Sequence, residues 1–284
     1  YSFKRARQAS QNKIAFGYEG DGESMRINIL SDVSVDFSSI ITKETGKDTL
    51  NYWYRPTLEV DSLIFEVIRG QSIDTAVVRI KDLKPDSLVL KSVYSNLKLK
   101  DLFMINATIP LQGIDESKVR VMNKDSVFIE TTTELDSATN RILMDFNKSE
   151  KNSYKIQLLP GALTDFYGTQ NDTINYNATT KLQSDYGNVR INIGNGVYPL
   201  IVQITNAKGL VVESYLAQDS SSVDFKDVTP GVYFLRAIFD SNKNGFYDTG
   251  EYMSKTQPER VSYASEPIEV RAGWDTIEEF VLVD

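Results

Sequence analysis

The chain has 284 residues, of which 41% are hydrophobic, and its 39 acidic and 31 basic side chains give a formal charge of −8. These values are typical of a folded protein of two or three domains, and they exclude a disordered chain and a protein that holds nucleic acid with clustered cations. Cysteine and histidine are both absent, which excludes Ser-His-Asp and Cys-His nucleophiles and ordinary zinc sites.

Short segments of alternating apolar and polar residues recur along the whole chain, separated by Gly, Asn, Asp and Ser. This period-2 pattern predicts an all-β fold of antiparallel β-sandwiches. The segments fall into three groups, so we predict three tandem sandwiches of the Ig-like or transthyretin-like class. Their expected boundaries are residues 1–98, 99–183 and 184–284.

The first group opens with a basic cluster, Lys4-Arg5-Ala6-Arg7, which we interpret as a solvated segment leading into a strand. The strands predicted after it are 24–30, 33–37, 49–54, 63–68 and 75–80.

In the second group the predicted strands are 103–109, 119–122, 126–130, 141–146, 154–159 and 174–176. Pro160-Gly161 breaks the pattern, and a helical or 3₁₀ turn is predicted at 162–168. The third group predicts strands at 188–193, 200–204, 210–216, 223–225, 231–239, 268–271 and 276–283. A hairpin turn is expected at Asn206–Gly209.

A twelve-residue segment after the strand at 231–239 has the spacing of a calcium-binding loop. Oxygen-bearing side chains stand at positions 1, 3, 5, 9 and 12, and glycine stands at position 6. The predicted ligands are Asp240, Asn242, Asn244, Phe246 through its backbone carbonyl, Asp248 and Glu251. Because strands flank the loop, the hypothesis is a structural Ca²⁺ clip in a β-domain. The alternative is an ordinary exposed turn, for which Asn, Asp and Gly are also typical.

Asp227–Ala237, together with this loop, resembles the carboxy-terminal module of the Ig-like (SbsA-type) domain-containing surface lipoproteins of Bacteroidota. Further segments similar to that family are Gln257–Tyr263, Ile268–Trp274, Pro110–Asp115, Gly161–Gly168 and Asp48–Tyr54. The resemblance implies export, a lipid anchor upstream of this chain and surface display at the outer membrane. It implies no activity.

The leading hypothesis is therefore a non-catalytic array of Ig-like modules that scaffolds or docks onto other outer-membrane or surface proteins. It would serve as an accessory subunit of an assembly, secretion or uptake complex, with no nucleic-acid partner. Membrane contact is expected only through the upstream anchor. A second hypothesis is a carbohydrate-binding module in which Trp53 or Trp274 stacks on sugar, although both rings are also candidates for burial. A third is a glycosidase with paired carboxylates.

Asp-Ser or Asp-Thr followed by an aliphatic or small residue occurs eight times, and exported Bacteroidota proteins carry O-glycans on this pattern. The candidate sites are Thr49, Ser62, Thr75, Ser87, Ser126, Ser137, Thr173 and Thr276. The same pattern is also typical of a turn that leads into a strand.

Overall fold

The computed structural model of the chain describes residues 2–20, 22, 24–44, 47–250 and 255–283. These residues form strands and two short 3₁₀ helices, at Glu116–Lys118 and Gln183–Asp185, so the prediction of an all-β sandwich fold is confirmed. None of their helices is long and apolar enough to cross a membrane. Three hydrophobic cores define three sandwiches, and the chain divides into two compact units, Tyr1–Thr180 and Lys181–Asp284.

The first sandwich packs a sheet of order β1-β2-β5-β4 against a sheet of order β3-β6-β7. Its strands are β1 (Ser2–Ser10), β2 (Lys13–Glu19), β3 (Arg26–Ile29), β4 (Ser38–Lys43), β5 (Thr49–Arg55), β6 (Ser62–Arg69) and β7 (Ser72–Arg79). Phe65 of β6 meets Phe16 and Tyr52 edge-on in the core, with ring centroids 5.3 and 5.2 Å apart. Edge-on packing of this kind stabilises the core beyond what burial of the rings alone contributes.

The second sandwich completes the first unit. Its strands are β8 (Leu90–Ser92), β9 (Asn96–Leu97), β10 (Phe103–Ala107), β11 (Leu111–Ile114), β12 (Val119–Asn123), β13 (Phe128–Ile129), β14 (Thr131–Asp136), β15 (Arg141–Phe146), β16 (Ser153–Leu158), β17 (Leu163–Asp165) and β18 (Ile174–Thr180). Sheets of order β14-β15-β10-β8 and β13-β12-β16-β18-β9 enclose its core, and β11 pairs with β17. Leu90 and Leu97 are buried in that core, so β8 and β9 pack with the second sandwich although they precede residue 99.

The third sandwich forms the second unit. Its strands are β19 (Gly187–Gly194), β20 (Leu200–Thr205), β21 (Val211–Ala217), β22 (Ser222–Val228), β23 (Gly231–Phe239), β24 (Val261–Tyr263), β25 (Ile268–Val270) and β26 (Asp275–Val281). One sheet has the order β22-β19-β26, and the other runs β21-β20-β23-β24 with β25 also on β23. The first and last strands, β19 and β26, pair in parallel. The hairpin predicted at Asn206–Gly209 is confirmed, and Gly209 takes a φ of +76° there.

Three local predictions differ from the structure. Residues 33–37 form no strand, and Val35 is fully exposed, because an alternating segment needs a partner strand to become part of a sheet. Of the turn predicted at 162–168, residues 163–165 form strand β17, which is paired with β11, and only the end of the segment, at 166–168, makes a turn. The basic cluster lies within β1, paired with β2, rather than ahead of a strand.

Candidate functional site

The predicted calcium loop connects two neighbouring antiparallel strands of the third sandwich, β23 and β24. At its start the backbone amide of Asp240 donates to the carbonyl of Pro199 at 3.2 Å, and that of Phe239 donates to Arg260 at 2.9 Å. Asp240 is only 2% exposed. Hydrogen bonds next to the sheet therefore fix the backbone of Asp240, the first of the predicted ligands.

The loop curls around the Asp240 carboxylate. Oδ1 accepts from the backbone amide of Asn244 at 3.1 Å, and Oδ2 accepts from that of Gly245 at 2.9 Å. Lys243 and Gly245 both take left-handed backbone conformations, with φ of +63° and +79°. Glycine adopts this conformation without strain, which explains why it stands at the sharp turn.

Asp248 closes the curl from the other side. The amide nitrogens of Asn242 and Asn244 each donate to Asp248 Oδ2 at 2.7 Å. The side chains of Asp240, Asn242, Asn244 and Asp248 are thus brought together as predicted. Phe246 exposes 73% of its surface, and Glu251 lies outside the described residues.

Glu259 belongs to the same cluster and was missed by the sequence interpretation. It is 8% exposed, its Oε1 accepts from the backbone amide of Ser241 at 2.7 Å, and its Oε2 accepts from that of Asp248 at 3.2 Å. It lies beyond the twelve-residue loop, just before β24, so the loop spacing gave no signal for it. Its carboxylate ties both ends of the loop together.

The donor set fits a calcium ion. Carboxylate, amide and backbone carbonyl oxygens are the hard ligands that Ca²⁺ prefers, and the loop carries Asp240 and Asp248 beside the buried Glu259. No three acidic side chains among the described residues make a metal cage alone. A complete shell at this loop would therefore draw on the oxygens of Asn242 and Asn244 and on the carbonyl of Phe246.

A second functional feature lies in the first unit, where Trp53, Ile109 and Phe166 form a buried cluster between the first two sandwiches. We call this cluster the joint. Trp53 is 3% exposed, and its Nε1 donates to Thr42 Oγ1 at 2.9 Å. A ring so covered has no free face for a sugar, which corrects the stacking role proposed for Trp53.

Polar contacts cross the joint beside the apolar cluster. Arg55 donates from Nη1 to the carbonyl of Phe166 at 2.5 Å, and its guanidinium carbon lies 4.8 Å from the Phe166 ring centroid. The Tyr167 hydroxyl donates to the carbonyl of Asn12 at 3.1 Å. Burial, with the nearby Asp86 charge, raises the pKa of Tyr167 well above its usual range, so the phenol stays a neutral donor.

The segment that links the two sandwiches is fixed to the first one. Gln8 bonds Lys81 in both directions, donating to its carbonyl at 3.1 Å and accepting from its amide at 2.8 Å. Further along, the Asp86 carboxylate accepts from the Ser10 hydroxyl at 2.7 Å and pairs with Lys13 at 2.9 Å. The link is therefore bonded to the first sandwich at two positions, Lys81 and Asp86.

Trp274, the other ring proposed for sugar stacking, is 60% exposed on the third sandwich. The guanidinium carbon of Arg271 lies 5.4 Å from its ring centroid. One face is thus shared with a cation, and the ring remains accessible to a ligand.

The candidate O-glycosylation sites all lie at or near the surface. Thr49 and Thr276 are half-buried at the starts of β5 and β26. The exposed sites are Ser62, Thr75, Ser87, Ser126, Ser137 and Thr173. Their exposure is compatible with modification and equally with simple turns.

No family model and no curated protein matches the chain. Among solved structures, the chain is similar to the Bacillus anthracis TIE protein at 11% identity and a TM-score of 0.24, over 71% of this chain and 41% of that one. BcpA*(D312A), the major pilin subunit of Bacillus cereus, matches at 7% identity and a TM-score of 0.24, over 87% and 99% of the two chains. The I9-I11 tandem of titin matches at 9% identity and a TM-score of 0.20, over 98% of each chain. The chain thus spans less than half the length of the TIE protein.

Proposed function

We propose that the chain is a non-catalytic scaffold of tandem Ig-like sandwiches that holds or docks other proteins. The observation that carries the proposal is the joint, because Trp53, Ile109 and Phe166 are buried between two sandwiches that a flexible tandem would leave apart. A buried apolar contact reinforced by hydrogen bonds resists relative motion of two domains. A rigid body of this kind suits a spacer or docking platform.

The finer proposal is a surface protein of the outer membrane in Bacteroidota, anchored by a lipid upstream and acting as an accessory subunit of an envelope complex. The resemblance at Asp227–Ala237 supports this location. The absence of cysteine and histidine supports a role without a Ser-His-Asp or Cys-His centre. Calcium bound at the loop would stiffen the third sandwich. The calcium concentration outside the cell is high enough to fill such a site.

Purification of the full-length protein from native membranes tests this function. We expect a stoichiometric outer-membrane protein to co-purify through mild detergent. The variant Trp53→Ala, which loosens the joint, should reduce that recovery. The control variant Trp274→Ala should leave it unchanged. Recovery of the wild-type protein as a free monomer would contradict the scaffold role.

A further inference from the structure

A cleft of about 550 Å³ opens on the outer face of the sheet β1-β2-β5-β4, where that sheet meets the second sandwich. Arg5 and Arg7 of β1 stand along one side, and Asn106 and Thr139 of the second sandwich close one end. Its volume lies within the range of binding sites for small ligands. The basic cluster of the sequence therefore borders a concave site.

The strand register shapes the floor of this cleft. Arg5 pairs with Gly17, and Arg7 pairs with Ala15 on the neighbouring strand β2. Neither partner carries a side chain larger than a methyl group, so a recess lies directly beside the two arginines. β5 continues the floor with polar residues, since Thr49 lies opposite Gly17 and Asn51 lies opposite Ala15.

The net positive charge of the cleft comes from Arg5, Arg7 and Lys43, which all line it. Its carboxylates are already paired, because Asp86 binds Lys13 at 2.9 Å and Glu44 binds Lys47. The hydrogen bond from Lys47 holds the pKa of Glu44 below its usual range. Arg5 and Arg7 are exposed, and within the described part of the chain neither side chain has a hydrogen-bond or ion-pair partner. Two free guanidinium groups thus face solvent on a protein whose formal charge is −8.

The lining also limits the class of ligand. Trp53 is buried, and no large apolar side chain of the cleft is exposed. Apolar pockets and strand-edge pairing anchor many peptides, exposed rings anchor single-stranded nucleic acids, and clustered arginines bind acidic peptide motifs. Binding of polyglutamate is therefore one of the outcomes that the test must separate. The cleft offers guanidinium groups, which pair with carboxylate and phosphate and equally with sulfate, which shares the tetrahedral geometry of phosphate. The polar side chains of Thr49 and Asn51 lie beside them. That combination matches a ligand with both acidic groups and hydroxyls.

We infer that this cleft binds an anionic polysaccharide, whose acidic groups pair with Arg5 and Arg7 and whose hydroxyls meet the polar floor. The cleft adjoins the joint, because Trp53 also lines it, and it contains no residue of the calcium loop. Glycan binding is measured separately from the recovery of a partner protein, so failure of this inference can be told apart from failure of the scaffold role.

Calorimetric titration of the chain with oligogalacturonate, dextran sulfate and neutral dextran tests the inference. We expect binding of at least one acidic glycan and none of neutral dextran, and the acidic glycan that binds identifies carboxylate or sulfate as the recognised group. Arg5→Gln and Arg7→Gln should each weaken binding about tenfold, the loss expected for one charge-assisted hydrogen bond. Arg26→Gln on β3 is the matched control, since it removes another exposed arginine that does not line the cleft, and it should bind as the wild type does.

Three results would overturn the inference. One is a wild-type chain that binds neither acidic glycan. Another is an equal loss of affinity in Arg26→Gln, which would indicate a non-specific charge effect. The third is equally tight binding of polyglutamate or single-stranded DNA, which would show that the cleft selects charge alone. The thermal midpoint of each variant should match the wild type, because all three arginines are exposed.

Discussion

Trp53 illustrates how the environment of one residue depends on a neighbouring domain. Along β5 the rings of Tyr52 and Tyr54 point into the core of the first sandwich, so Trp53 lies on the opposite face. That face would be open to solvent in an isolated sandwich, but Ile109 and Phe166 cover it. Its burial therefore stabilises the pair of sandwiches.

Replacing Trp53 by alanine should reduce the free energy of unfolding of the first unit by about 3–5 kcal/mol, the cost of removing a large buried side chain. Trp274→Ala should change stability by no more than about 0.5 kcal/mol, because that ring is exposed. Urea unfolding monitored by circular dichroism measures both values. Similar losses in the two variants would contradict the assignment of Trp53 to the joint.

The raised pKa of Tyr167 leads us to expect that the stability of the first unit decreases at alkaline pH. This pKa is raised above the usual value near 10 by burial, with Asp86 adding to the effect. Burial also raises the pKa of Tyr176, to about 12. Both phenols hold their protons more tightly when folded, so their contribution to stability is complete below about pH 10 and is lost as the pH rises above it.

We therefore expect the thermal midpoint of the first unit to fall between about pH 10 and pH 12. In Tyr167→Phe, which keeps the ring and removes the ionisable group, the fall should be shallower. Thr276→Val in the second unit is a control for the loss of a hydroxyl. An identical slope in Tyr167→Phe and the wild type would show that this phenol does not titrate differently on folding.

At the scale of elements, the loop between β23 and β24 is bonded at both ends. Asp240 holds the turn at one end, and Glu259 holds the amides of Ser241 and Asp248 at the other. The connection is thus a polar cluster with a fixed shape rather than a loose hairpin end. A cation at this cluster would offset the charge of its carboxylates.

Calcium should stabilise the second unit, by about 2.7 kcal/mol at a free concentration one hundred times the dissociation constant. Chelation should reverse the gain. Asp248→Asn should lose most of the calcium response while keeping a similar shape, and Asp219→Asn, at an exposed position of the same unit, is the control. Differential scanning calorimetry with and without Ca²⁺ measures the response. A wild-type thermal midpoint that does not change with calcium would contradict the structural calcium site.

The elements that could be predicted from sequence are those whose pattern arises within one sandwich. Leu63, Phe65 and Val67 alternate into a single core, so β6 was predicted from its period alone. Residues 33–37 alternate equally well and form no strand, because pairing depends on a partner elsewhere in the chain. The contacts of Trp53 with Ile109 and Phe166 could not be predicted for the same reason, since these partners are distant in sequence. Glu259 was missed because it lies outside the twelve-residue loop spacing.

For the whole molecule, the central claim is that the first two sandwiches behave as one body. The joint buries apolar side chains from both, and the link between them is held by Gln8 and Asp86. Such an arrangement converts two small domains into one longer unit that can present surfaces at a fixed spacing. The absence of cysteine from the chain makes this claim open to direct measurement, because introduced cysteines can be labelled specifically.

Electron–electron double resonance between spin labels at Ser72→Cys and Lys124→Cys, one in each sandwich, tests the claim most directly. We predict a single distance distribution as narrow as that of a control pair within the second sandwich, Lys124→Cys with Thr132→Cys. Adding Trp53→Ala should broaden the first distribution and leave the control unchanged. A broad or multiple distribution in the otherwise wild-type chain would contradict a rigid scaffold.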